Sequence, residues 1–190
     1  MPAPDRSELR ITDPRALRAL AHPARQRVIT ELFSGEVLTA TEAGRLCGLT
    51  PSAMSYHLRA LQKWGIVERG ESGDGRERPW RATADGISIT PEAHRGAGAA
   101  TSRLSIHTWF SDLEGDLERL ADAVGDGEEH GMTSRGRVWL TDAEEREMRE
   151  RIIDVVREYR GRTRRDHPEG ARPWNVYALV LPAEEPGPGT

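Results

Sequence analysis

The sequence predicts an α+β, mainly helical fold. Apolar residues recur at helical spacing in a series of short segments, each opened by a capping side chain followed by proline or by a Thr-x-x-Glu box. Strand-like runs are few and short, and clusters of glycine and polar turn residues punctuate them. At 190 residues the chain is long enough for one domain or two small ones.

Thr12-Asp13-Pro14 opens the first helix, with Ala16, Leu17 and Leu20 as its apolar stripe. His22-Pro23 restarts the chain. Val28, Ile29, Leu32 and Phe33 then recur at helical spacing until Ser34-Gly35. Thr39-Ala40-Thr41-Glu42 is a capping box, in which the Thr and Glu side chains satisfy orphan backbone donors. Ala43, Leu46 and Cys47 should face inward on the short helix that follows, and Gly48 should stop it.

Thr50-Pro51 starts the next helix, whose buried stripe is Met54, Leu58 and Leu61. Ser52, Ser55, Tyr56 and Arg59 fall on its other faces. His57 lies between the core and exposed faces and is expected to pack or hydrogen-bond. Ile66-Val67-Glu68-Arg69 reads as a strand, Asp74-Gly75 as a hairpin turn, and Arg76–Thr83 as the returning strand, with Pro79 confining it to an edge. Three helices, a helix-turn-helix and a charged hairpin make a winged helix-turn-helix over residues 10–90, with Thr50–Gly65 as recognition helix and residues 66–83 as wing.

Leu20-Ala21-His22-Pro23-Ala24-Arg25, then Gly48 through Leu61, then Gly65-Ile66-Val67 and the hairpin resemble the ArsR-type transcriptional regulators. The resemblance covers roughly residues 10–83. It implies a dimeric, usually repressing, operator-binding protein that an effector releases. Ser52, Ser55, Tyr56 and Arg59 are then the candidate DNA contacts, with hydroxyls for base edges or phosphates and Arg59 for a guanine or a phosphate. Gln62 and Lys63, one turn on, suit phosphate. Arg76, Arg78 and Arg81 of the wing could reach the backbone or a narrow minor groove.

Charge is uneven along the chain. Net charge is −4, but residues 1–90 carry 13 basic and 11 acidic side chains, whereas residues 91–190 carry 14 and 20. A nucleic-acid contact is therefore expected in the first half. Many ArsR-type proteins sense metals through a Cys-x-Cys motif on the helix before the recognition helix. Here that helix offers only Cys47, the single cysteine of the chain. A second family site pairs Asp-x-His with a later His-x-x-Glu. This chain has Glu92-x-His94 and His107-x-x-Phe110, which lacks the final carboxylate. No metal site and no cofactor are therefore expected. No nucleophile–base pair, phosphate-cradling loop or paired-carboxylate motif points to an enzyme. With no apolar leader at Met1–Arg6 and no apolar run of membrane-spanning length, the chain is expected to be cytoplasmic.

Thr90-Pro91-Glu92 begins a further helical region over residues 91–124. Gly96-Ala97-Gly98-Ala99-Ala100 reads either as a break in it or as a close approach between two chains. Ile106, Phe110, Leu113, Leu117, Leu120 and Val124 then form a heptad seam, expected to make one long dimerisation helix. Residues 136–182 read as a small strand-helix-strand unit. Its strands are Gly136–Leu140 and Trp174–Leu181, and its helix follows the capping box Thr141-Asp142-Ala143-Glu144 and buries Met148, Ile152, Val155, Val156 and Tyr159. An effector pocket near Trp109, Trp139, Trp174 and Tyr177 would make the chain a small-molecule-responsive regulator or a ligand-binding protein. A metal-sensing repressor with a divergent site is the other runner-up. The expected partners are an operator DNA duplex, a second copy of the chain and an unknown small-molecule effector, with no membrane.

Overall fold

In the computed structural model, residues 8–70, 77–125 and 131–184 are described. They divide into two units. The first runs to Asp112 and takes in Arg160–Glu169; the second comprises Leu113–Tyr159 and the chain from Gly170 onward.

The first unit holds the hydrophobic core. It runs β1 (Glu8–Ile11), α1 (Pro14–Leu20), α2 (Pro23–Phe33), α3 (Ala40–Leu46), α4 (Pro51–Gln62), β2 (Val67–Arg69), β3 (Trp80–Ala82), β4 (Gly86–Ile89), α5 (Pro91–Ala97) and α6 (Ala99–Trp109). The helix starts follow from local chemistry. Asp13 accepts from the backbone N–H of Arg15, Thr50 from that of Ala53 and Thr90 from that of Ala93, each just ahead of or around a proline in the first turn. His22 takes the same role for α2, its Nδ1 accepting from Ala24 N–H at 3.2 Å. Thr39 and Glu42 form the reciprocal capping box of α3.

Leu17, Leu20, Val28, Leu32, Met54, Leu58 and Leu61 from α1, α2 and α4 are buried together with Ile66, Val67 and Trp80. Leu46 departs from expectation. It is 43 % exposed, because α3 is a short helix that turns only Ala40, Ala43 and Gly44 fully inward. Gly44 is required where α3 meets the turn into α4. A Cβ there would lie 2.8 Å from the Leu49 carbonyl oxygen, and the Leu49 N–H donates to the Gly44 carbonyl at 2.8 Å.

Strands β2 and β3 pair antiparallel, with Val67 opposite Ala82 and Arg69 opposite Trp80. The returning strand is shorter than the Arg76–Thr83 expected and is not a free edge. It starts after Pro79, and Trp80 also exchanges backbone hydrogen bonds with Leu38, at 2.7 and 3.0 Å. Pro79 lacks an N–H and cannot take part, whereas its carbonyl accepts from Gly70. The turn at Asp74-Gly75 and Arg76 lie outside the described residues. A second, two-stranded parallel sheet pairs β1 with β4, Ile11 opposite Ile89; the sequence reading did not anticipate it.

Residues 91–124 do not form one long helix. Gly98, at φ +81°, breaks the chain between α5 and α6. Gly96 makes a close approach within the chain, where a Cβ would collide with the Pro14 ring. Helix α6 ends at Trp109, where Phe110 and Ser111 N–H groups close onto Ile106 and Thr108 carbonyls. Helix α7 (Leu113–Gly125) opens with Glu114 and Asp116 in its first turn, where acidic side chains favour a helix start. The expected seam is thereby divided. Ile106 and Phe110 belong to the first unit, Leu113, Leu117 and Leu120 to the second, and the side chain of Val124 is outside the described residues.

In the second unit, α8 (Asp142–Arg157) starts at the expected box, with Thr141 and Glu144 reciprocally bonded. The flanking strands do not form. Residues 136–140 and 174–181 carry no ladder, and Asn175 and Tyr177 instead hydrogen-bond Asp116 at 2.7 and 2.6 Å. Without a sheet to pack against, α8 buries no residue fully. Met148, Ile152 and Val156 are half-buried, and Val155 and Tyr159 are exposed.

Candidate nucleic-acid interface

Helix α4 separates its two faces cleanly. Met54, Leu58 and Leu61 are fully buried and fix the helix to the core. On the outer side Ser52, Tyr56, Arg59, Gln62 and Lys63 are exposed and Ser55 is half-buried. Ser52, Ser55, Tyr56 and Arg59 recur three, four and seven residues on, which places them along one stripe. Tyr56 is 66 % exposed for a large aromatic side chain. Its ring meets the buried His57 edge-on at 5.6 Å, so it projects from a supported base. The stripe contains no acidic residue. Ser52, Ser55, Arg59 and Gln62 make no side-chain hydrogen bond or ion pair with other described residues, so these groups remain open to a ligand.

The wing presents Arg78 and Arg81, both exposed. Arg81 pairs with Glu68 across the hairpin at 2.7 Å. Both partners are solvated, so this pair is weak and exchangeable for phosphate. Arg78 Nε donates to the Gly70 carbonyl at 3.2 Å. Two wing residues that sequence reasoning missed hold this geometry. Arg69 lies 3.9 Å over the Trp80 ring and donates to the Arg78 carbonyl at 2.5 Å. Glu77 reaches the N-terminus of α3, accepting from Ala40 N–H at 3.0 Å and from the Thr41 hydroxyl at 3.3 Å. An acidic residue after a turn gives no signal that its partner is a helix start nearly forty positions earlier.

His57 is buried under this surface, its ring 4.6 Å from that of His22. Burial first, then His22 and Arg25 nearby, hold its pKa below the ordinary value of 6.5. Its Nδ1 has no partner among the described residues. The folded state therefore resists protonation that the unfolded chain accepts. Stability is fully present above pH 6.5 and should fall as pH drops below it toward the lowered folded value. The urea midpoint is expected to be lower at pH 5.5 than at pH 7.5, and His57→Phe should flatten the difference; an unchanged difference in that variant would remove His57 as its source.

The residues considered for metal ligation are placed differently. Cys47 is buried, and burial pushes its thiol up to about 11, so it stays protonated and apolar in behaviour. His94 Nδ1 is within 2.7 Å of the Ser102 hydroxyl, and Glu92 pairs with Arg95 at 2.9 Å. Among the described residues no group of three His, Cys, Asp or Glu side chains converges. Of the aromatics weighed for an effector pocket, Trp139 and Trp174 are 78 % and 55 % exposed. Cavities of about 330 and 430 Å³ lie instead in the first unit, on either side of Gly35–Val37.

The three-helix core, the turn between α3 and α4 and the β2–β3 hairpin define a winged helix-turn-helix domain. Residues 20–70 match a helix-turn-helix domain family, which spans α2 through β2. No curated protein matches the chain significantly. Among solved structures, similarity is found to the homodimeric winged helix-turn-helix DNA-binding domain of a possible ArsR-family regulator from Mycobacterium bovis. It is 19 % identical, covers 63 % of this chain and 88 % of that one, and has a TM-score of 0.32. A MarR family protein from Mycobacterium tuberculosis, in complex with salicylic acid, is 20 % identical over 76 % of this chain and 87 % of that one, with a TM-score of 0.31. A MarR family regulator from Silicibacter pomeroyi is 21 % identical over 62 % and 81 %, also at 0.31. Among the described residues no helix is long and apolar enough to cross a membrane.

Proposed function

We propose that this chain is a sequence-specific DNA-binding transcriptional regulator, a homodimeric repressor of ArsR type, that inserts α4 into the major groove and sets the wing against the neighbouring backbone. The observation that carries this reading is the stripe of exposed Ser52, Tyr56 and Arg59 with half-buried Ser55, on a helix anchored by three fully buried side chains. Arg59 and the hydroxyls read base edges; Gln62, Lys63, Arg78 and Arg81 contact phosphates. Two copies would place two such helices on half-sites about 34 Å apart. Leu113, Leu117 and Leu120 supply an apolar stripe on α7 for self-association, Leu117 being 49 % exposed. The buried, protonated thiol of Cys47 favours a signal other than a metal ion.

Selection of bound fragments from genomic DNA, followed by fluorescence anisotropy of a selected duplex, tests the reading. Affinity is expected to fall steeply between about 50 and 200 mM salt and to exceed that for an unrelated duplex by at least about a thousandfold. Equal affinity for both duplexes at low salt would overturn sequence-specific regulation. Lys63→Ala should weaken binding to all duplexes alike and reduce the salt slope by about 1, the signature of a phosphate contact.

A further inference from the structure

The segment Arg160–Glu169 follows α8 in sequence yet packs in the first unit. The backbone N–H of Arg164 donates to Glu36 Oε1 at 2.6 Å, and its Nε lies 3.8 Å from the same oxygen. The Arg164 guanidinium also bonds the Glu31 carboxylate. Arg165 donates to Glu42 at 3.3 Å, and Arg160 donates to the Asp85 carbonyl. Gly161 lies against Gly35 backbone to backbone, where a Cβ on Gly35 would approach the Gly161 Cα to 3.1 Å. Thr163 Oγ1 accepts from the N–H groups of Arg165 and Asp166, which folds the segment into a compact loop.

The contact is more than an exchange of surface charges. Glu36 is only 8 % exposed, and a buried carboxylate is costly unless it is paired. Among the described residues, both its hydrogen bond and its ion pair come from Arg164. Two residues beyond Glu36, Leu38 makes the two-way bridge to Trp80 that anchors β3. Asp85, held by Arg160, follows β3 on the other side. The loop therefore touches the chain on both flanks of the wing's root. Its own ends continue into the second unit, after Tyr159 and at Gly170.

We propose that residues 160–166 are a built-in ligand for the acidic corner formed by Glu31, Glu36 and Glu42, and that their docking holds the root of the wing in place for DNA. Lifting this loop strips Glu36 of its partners and loosens the Leu38–Trp80 bridge. The output of this device rests on the DNA-binding reading above; the docking does not.

Hydrogen exchange on the full chain tests the docking directly. Arg164→Glu sets a negative charge against Glu31 and Glu36. The amides of Leu38 and Trp80 are expected to exchange about tenfold faster, while those of Leu17 and Leu20 in the core keep their rates. Adding Glu31→Arg to that variant should restore protection. Unchanged exchange at Leu38 and Trp80, or equal acceleration at Leu17 and Leu20, would overturn the proposal. Should Arg164→Glu fail to fold, Arg164→Ala with Arg165→Ala is read by the same amides with the same outcomes. On a selected duplex, Arg164→Glu should bind about fivefold more weakly with its salt slope unchanged; a slope lower by about one would make Arg164 a phosphate contact and overturn its role as a tether. If the unaltered chain binds no duplex specifically, the DNA reading fails while the exchange rates still decide the docking.

Discussion

Trp80→Ala is expected to lower the unfolding free energy of the first unit by about 3–5 kcal/mol, the usual cost of removing a large aromatic from a packed core. Trp80 is the largest fully buried side chain in the protein, with no exposed surface. Its loss leaves a cavity beneath the Arg69 guanidinium, which now sits 3.9 Å over the ring. The same residue joins β3 to both β2 and Leu38, so the cavity opens at the junction of wing and core. A domain of this size has about 5–15 kcal/mol in total, so the variant should retain a small remainder or unfold near physiological temperature. The indole N–H has no partner among the described residues. Trp80→Phe should therefore lose packing volume alone and cost less than half as much. Urea midpoints at constant slope decide the matter. A loss below about 1 kcal/mol for Trp80→Ala would show that the site collapses around the smaller side chain.

The burial of Trp80 also shows where the sequence was legible. Helix starts could be read because their chemistry is local. Asp13-Pro14, Thr50-Pro51, Thr90-Pro91 and the boxes at Thr39 and Thr141 each act within three or four residues. The two faces of α4 were legible for the same reason, since a helical repeat orders Met54, Leu58 and Leu61 against Ser52, Ser55, Tyr56 and Arg59. Pairings made at a distance were not. Trp80 reads as one residue of a charged hairpin until Leu38 is known to lie beside it. Residues 174–181 show the reverse failure. Their apolar, β-branched and aromatic content favours a strand, but a strand also needs a neighbour, and Asn175 and Tyr177 turn to Asp116 instead. The heptad from Ile106 to Val124 keeps its spacing across Ser111-Asp112, where the backbone leaves the helix. Periodicity records which face is apolar and does not record such a break. The Arg164 loop was the least visible of all, since its carboxylate partners Glu31 and Glu36 lie 133 and 128 positions away.

Arg59→Glu should produce the largest loss of DNA affinity of any exposed substitution on α4, about 2–4 kcal/mol, or roughly thirty- to a thousandfold. Removing a base-reading arginine costs about 1–3 kcal/mol, and a carboxylate facing phosphates adds repulsion. The substitution should leave the fold intact. Arg59 is exposed, makes no ion pair with a described residue and lies opposite the buried stripe of Met54, Leu58 and Leu61. Removing its positive charge also relieves repulsion with Arg69, whose guanidinium burial already disfavours charge. A thermal midpoint within a few degrees of the unaltered chain would separate the binding effect from unfolding. Arg59→Ala then divides the two contributions. If Arg59 reads a base, the alanine variant should relax preference at one position of the duplex while keeping affinity for non-specific DNA nearly constant. If it contacts phosphate, all duplexes should weaken together. Full retention of affinity in Arg59→Glu would mean that α4 does not face the DNA at this turn, and the interface would have to be sought on another face of the domain.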